Sequence, residues 1–215
     1  MPTGKLDVRP GWILLTAGVG GPAAKWRDKL LSKAIIGFQR VKEHDGKADY
    51  SHAELLTNAL GQTFAARWRT RHRENGLQDY VGSNIMIIEP LGMTNRLFPI
   101  MWQTAEMEQF DGDMYPIWRL LLQAASAIGP HWIAKFGWGG HAICSEVVAK
   151  FFSDTAPWSQ YFCKWRGTTP AMIENWGRCG RHFRIVFEGL LTEEMMRDAG
   201  LPLYFPGVNT EGAVL

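Results

Sequence analysis

Hydrophobic residues in this chain fall into short blocks separated by turn-forming residues, with a few longer stretches at helical spacing. Trp12 to Thr16 (WILLT) is a compact apolar run after Pro10-Gly11, and the glycine-rich AGVGGPAA that follows reads as a loop. A strand is therefore predicted to end there. Lys25 to Phe38 sets Trp26, Leu30, Ile35 and Phe38 at near-helical spacing and predicts a short helix. Tyr50 to Leu56 (YSHAELL) and Gln62 to Trp68 (QTFAARW), separated by Thr57, Asn58 and Gly61, predict a hairpin. Asn75-Gly76 is a turn signal, and Asn84 to Glu89 (NIMIIE) predicts a strand stopped by Pro90.

Arg96 to Met107 fits neither period, whereas Ile117 to Ile128 predicts a helix ending at Gly129-Pro130. Cys144 opens an amphipathic stretch in which Val147, Val148, Phe151 and Phe152 follow at i+3, i+4, i+7 and i+8, all on the face of Cys144. Beyond it, Gly167 to Pro170 reads as a turn, HFRIVFEGLL from His182 as a strand and TEEMMRDAG from Thr192 as a charged helix. The end, from about residue 201, reads as a loose tail. With no internal repeat or low-complexity segment, residues 1–215 are expected to form a single domain.

Composition narrows the function classes. A hydrophobic content of 46% over 215 residues is enough for a sizeable core. The net charge of +2 gives no field that would attract a polyanion, and no nucleic-acid partner is expected. The four arginines of ARWRTRHR, Ala66 to Arg73, are a local patch and read as a solvated or substrate-facing edge. No signal-peptide pattern and no run of ~18 apolar residues occurs. The expectation is a soluble protein without a transmembrane segment, cytoplasmic by default, although a virion component or a protein exported by another route would look the same. Ten tryptophans point to broad aromatic packing, or to a groove that contacts sugar or peptide.

The chemistry-bearing residues are few. Cys144, Cys163 and Cys179 are an odd number without regular spacing, so neither a disulfide framework nor a zinc motif is indicated. No HExxH or paired-carboxylate spacing appears, GVGG lacks both the P-loop lysine and the GxGxxG spacing, and neither metal nor cofactor is expected. In GGHAICSEVVAKFF, Gly139 to Phe152, a thiol stands at a predicted helix N-terminus. Unpaired N–H groups there favour thiolate and can stabilise an oxyanion, while the preceding glycines permit close approach of a substrate backbone. Core packing of a small apolar cysteine is the competing reading.

A thiol nucleophile needs a base. His52 is the best placed of the six histidines, because it lies in a predicted strand whose alternate residues Tyr50, His52 and Glu54 point to one side. His44 and His72 sit in polar stretches, and His182 lies near Arg181 and Arg184. His131 and His141 flank the glycine-rich approach to Cys144. Gly140 and His141, together with Tyr50 and Ser51 beside His52 and Ser145 beside Cys144, are candidate substrate contacts.

The order of GWILLT (Gly11 to Thr16), YSHAEL (Tyr50 to Leu55), FDGDMY (Phe110 to Tyr115), ICSEVV (Ile143 to Val148) and TTPAMI (Thr168 to Ile173) resembles the permuted papain-like enzymes of the NlpC/P60 superfamily, in particular the YiiX/YebB/YaeF-like group. The five motifs follow the family's order over about three quarters of the chain. The resemblance implies an α+β, circularly permuted papain-like fold, with a small antiparallel sheet or partial barrel packed on a central helix that begins at the nucleophile Cys144. His52 is implied as its base. Two departures stand out. Trp12 replaces the family's acid after the leading glycine, and Ala65, within FAA at Phe64 to Ala66, stands where relatives often carry a glutamate. Glu54, from the strand face of His52 itself, is the favoured substitute and Gln62 the alternative, since either accepts from an imidazole N–H; without a third member the site is a dyad.

The expected activity is hydrolysis of an amide bond, in a peptide or a peptidoglycan peptide, through an acyl-enzyme on Cys144. Two alternatives follow from the same residues: an acyl hydrolase or acyltransferase acting on a lipid or thioester, and an inactive binding or structural module of a phage or secretion assembly.

Overall fold

The computed structural model describes residues 6–17, 32–37, 39–40, 49–65, 75–110 and 143–203. Six strands form one sheet, β1 (Ile13–Thr16), β2 (His52–Leu56), β3 (Gln62–Phe64), β4 (Asn75–Gly76), β5 (Asn84–Pro90) and β6 (Phe183–Leu190), in the order β4-β3-β2-β1-β5-β6. Every pairing is antiparallel. β1 is central, setting Thr16 opposite His52 on one side and Ile85 on the other. Its uninterrupted apolar run has a cause: both faces of the sheet are covered, so neither alternate set needs to be polar. Ile13 and Leu15 enter one hydrophobic cluster and Leu14 enters the other.

Helices α1 (Leu97–Thr104), α2 (Cys144–Ser153), α3 (Ser159–Phe162) and α4 (Pro170–Cys179) supply the first cluster, in which Val147, Val148, Phe151 and Phe152 meet Ala53, Leu55, Met86 and Ile88. Phe152 is its aromatic centre, with Phe151, Phe162 and Trp158 at ring-centroid distances of 4.9, 5.4 and 5.7 Å. Burying such a side chain contributes ~2–3 kcal/mol. The second cluster lies beneath the opposite face. It joins Leu6, Val8 and Trp12 to Leu77 and Tyr80 of a 3₁₀ turn (Leu77–Tyr80) and to Met196 of α5 (Glu193–Asp198). Among the described residues no helix is long and apolar enough to cross a membrane.

The architecture is α+β, and most predicted strands form, with informative differences at their ends. Pro90 does not stop β5 but is its last residue, paired with Phe183. Asn75-Gly76 is not a turn; it pairs with Thr63 and Gln62 as a two-residue strand, held by the Leu77 N–H on the Gly61 carbonyl at 2.9 Å. The Arg96 to Met107 stretch resolves into α1 and the start of a 3₁₀ turn (Met107–Phe110). The predicted turn at Gly167 to Pro170 leads directly into α4. There the Thr169 hydroxyl accepts from the Met172 N–H at 3.2 Å, Pro170 occupies the first turn and Gly180 closes the helix at φ 67°. Leu201 is 7% exposed in the second cluster.

Residues 32–37 are helical, as predicted within Lys25 to Phe38. The rest of that prediction, residues 25–31 and 38, lies outside the described residues. So do the glycine-rich loop after Ala17, the whole of ARWRTRHR, the FDGDMY motif past Phe110 and the predicted Ile117 to Ile128 helix.

Candidate active site

Cys144 is the first residue of α2, after Ile143 in extended conformation (φ −84°, ψ 167°). Three contacts fasten this helix start. The Glu146 carboxylate accepts the Ile143 N–H at 3.2 Å and, through its other oxygen, the Gly167 N–H at 2.7 Å. The Ser145 hydroxyl donates to the Thr168 carbonyl at 2.7 Å. Ser145 and Glu146 thus bind the start of the helix to the entry of α4. Ser145 and Glu146 are fully buried, so α2 is covered on more faces than the single stripe of Val147, Val148, Phe151 and Phe152 indicates.

His52 and Glu54 sit at positions i and i+2 of β2, and the His52 Nε2 lies 2.9 Å from Glu54 Oε1. The Tyr80 hydroxyl donates to the same oxygen at 2.6 Å. Tyr80 belongs to the second cluster, whereas Ala53 and Leu55, alternating with His52 and Glu54, belong to the first. The imidazole and carboxylate therefore occupy the sheet face opposite to that on which α2 packs. The Leu56 N–H donates to the Trp12 carbonyl at 2.8 Å, and by antiparallel alternation Glu54 and His52 also turn their backbone groups to β1. The Ala53 N–H then faces the other way, past the end of β3 at Phe64, and it meets the Cys144 sulfur. The Cys144 thiol also shares a side-chain hydrogen bond with the His52 ring.

Burial opposes charge on both partners: Cys144 is 2% and His52 1% exposed. For Cys144 that desolvation is outweighed by the His52 cation, its hydrogen bond and the N–H groups of Ala53 and Ser145, which hold the thiol below its ordinary range. For His52 it is outweighed by the thiolate, the hydrogen bond to it and the Glu54 carboxylate, which push the imidazole from 6.5 up to about 9. The thiol is shifted down and the imidazole up, the two directions that favour a thiolate–imidazolium pair, with the Glu54 carboxylate beside the ring.

The other candidates divide. Gln62 does not reach His52, because its side-chain oxygen accepts from Asn58 across the hairpin. Ala65 is fully buried. Tyr50 does not share a face with His52 and Glu54 as alternation predicted. Ser51 donates its N–H to Thr16 at 3.0 Å while Thr16 also pairs with His52, so the regular strand begins only at His52. Tyr50 turns into the first cluster, where its hydroxyl donates to Glu188 at 3.4 Å. Burial and the charges of Glu188 and Glu174 raise its pKa. The Ser51 hydroxyl donates to the Ala17 carbonyl at 3.1 Å. His44, His72, His131, Gly140 and His141 lie outside the described residues. Cys163 and Cys179 are exposed thiols, and the His182 ring packs against Tyr161 at 5.8 Å. Among the described residues no group of histidine, cysteine and carboxylate side chains has metal-holding geometry.

Two contributors were not anticipated. Tyr80 carries no motif, and its only sequence signal is that a buried tyrosine hydroxyl requires a partner. The Ala53 N–H has no side-chain signature at all. Comparison with protein-family models, curated proteins and solved structures returned no match.

Proposed function

We propose that the chain is a thiol hydrolase of the permuted papain-like type, cleaving an amide bond in peptides, with bacterial peptidoglycan peptides as the substrate class. The observation that carries the reading is the contact of His52 with both the Cys144 thiol and Glu54, the latter at 2.9 Å. Supporting it, the histidine strand precedes the cysteine helix in sequence, and that helix packs against the histidine's own strand in an antiparallel sheet.

In the reaction the Cys144 thiolate attacks the acyl carbonyl carbon, and the electron pair of the C=O bond moves onto oxygen. N–H groups at the helix start stabilise that oxyanion. Collapse expels the amine, which takes the proton from the His52 imidazolium, leaving a thioester on Cys144. Neutral His52 then removes a proton from water as its oxygen attacks the thioester. The carboxylic acid departs, and thiolate and imidazolium are restored. Glu54 holds the ring in the orientation that serves both transfers.

The test is to incubate the full chain with purified peptidoglycan and analyse the released fragments by mass spectrometry. Fragments are expected with the wild type and not with Cys144→Ala. Equal release by both would overturn the mechanism.

A further inference from the structure

We propose that Tyr80 is a positioning residue of this site, acting on His52 through Glu54. The inference rests on the thiol–imidazole reading above and extends it by one member. Tyr80 lies 26 residues beyond Glu54, on an element with its own anchorage. The 3₁₀ turn that carries it is pinned at its start by the Leu77 N–H on Gly61 at 2.9 Å. After it, the Ser83 N–H bonds the Tyr80 carbonyl at 2.9 Å and the Gly82 N–H bonds Leu191 at 2.8 Å. The phenol is therefore placed by backbone and need not follow the carboxylate.

At 2.6 Å the O–H···O contact lies in the range of a hydroxyl on an ionised acceptor. The same oxygen, Oε1, receives both the phenol and the imidazole, so two donors from different elements fix one carboxylate dihedral. The titratable groups at Glu54 include His52 beside it, Cys144 beyond the ring and Tyr80 itself. β1 sets Leu14 opposite Glu54 and Thr16 opposite His52, and Glu54 and Tyr80 are both fully buried. In such surroundings a lost donor is not replaced by solvent. Removing the phenol makes negative charge on Glu54 more costly, and the coupled set Cys144, His52 and Glu54 then takes up its proton at higher pH.

The experiment measures the rate of iodoacetamide alkylation of Cys144 against pH in the full chain. Tyr80→Phe should move the acid limb upward by about one unit, an about tenfold slower reaction on that limb, with the alkaline plateau unchanged. In a Glu54→Gln background the same substitution should produce no further shift, because the effect passes through the carboxylate. Fluorotyrosine at position 80, nearly isosteric and a stronger donor, should move the limb downward, and it keeps the test open if Tyr80→Phe folds poorly. A wild-type limb unmoved by either change, or a Tyr80→Phe shift that persists undiminished in Glu54→Gln, would overturn the role of Tyr80 alone. A wild-type limb at the ordinary thiol value of ~8.5 would overturn the thiol–imidazole reading, and this inference with it.

Discussion

His52 is subject to two opposed effects: burial penalises its charge, and the thiolate and carboxylate beside it stabilise that charge by more. A histidine whose folded pKa is raised contributes stability that is fully present below its unfolded value, 6.5, and is lost as pH rises through the folded value, about 9. The lowered Cys144 works in the other direction: its contribution is present above the unfolded thiol value of ~8.5 and is lost as pH falls through the depressed one. These are two sides of one ion pair, which dissolves at both ends of its range. The melting temperature of the wild type should therefore fall relative to that of Cys144→Ala as pH is raised through about 9. Parallel curves would show that the imidazole gains nothing from the thiolate. Of these residues, Cys144, His52 and Glu54 were legible in sequence because each advertises chemistry by type and by place in a periodic element. Glu54 was preferred to Gln62 for its place on the strand face of His52; the Asn58 contact that fixes the Gln62 amide has no sequence signature.

At the scale of elements, the ICSEVV and TTPAMI motifs are two halves of one junction. The Glu146 carboxylate and Ser145 hydroxyl bind the start of α2 to Gly167 and Thr168, immediately before the Thr169 cap of α4. Gln39 closes the same junction from outside by accepting the Ala171 N–H at 3.0 Å. Glu146→Ala removes the acceptor of two backbone donors and should cost about 3 kcal/mol in denaturant unfolding, whereas Glu146→Gln, which keeps one acceptor, should cost about half as much. Equal, small effects would mean that the junction is not held by this side chain. The helix at α4 was missed because its N-terminal signal, Thr-Pro, is also a turn signal, and only the cap bond distinguishes them. The side chain of Tyr50 was misplaced for a related reason: alternation holds only inside a regular ladder, and β2 begins two residues later.

For the molecule as a whole, the apolar runs of β1 and β5 correctly signalled strands but did not say which elements cover the two faces of the sheet. A run without alternation states only that neither face is wet. That second cover is what brings Tyr80 to the back of the histidine strand. The first cover depends on Phe152, and Phe152→Ala should cost ~3–5 kcal/mol by leaving a cavity among Phe151, Trp158 and Phe162. A loss under ~1 kcal/mol in equilibrium unfolding would show that this cluster is loosely packed.

The central claim is that Cys144 rests as a thiolate because His52 is charged beside it. The most direct measurement is the ultraviolet thiolate absorbance of the wild type minus that of Cys144→Ala, followed as a function of pH, and repeated in a His52→Ala background. The wild-type difference should persist below the ordinary thiol range. In His52→Ala it should appear only near or above ~8.5, where burial leaves the thiol without its cation. Identical titrations in the two backgrounds, both near ~8.5, would contradict the account.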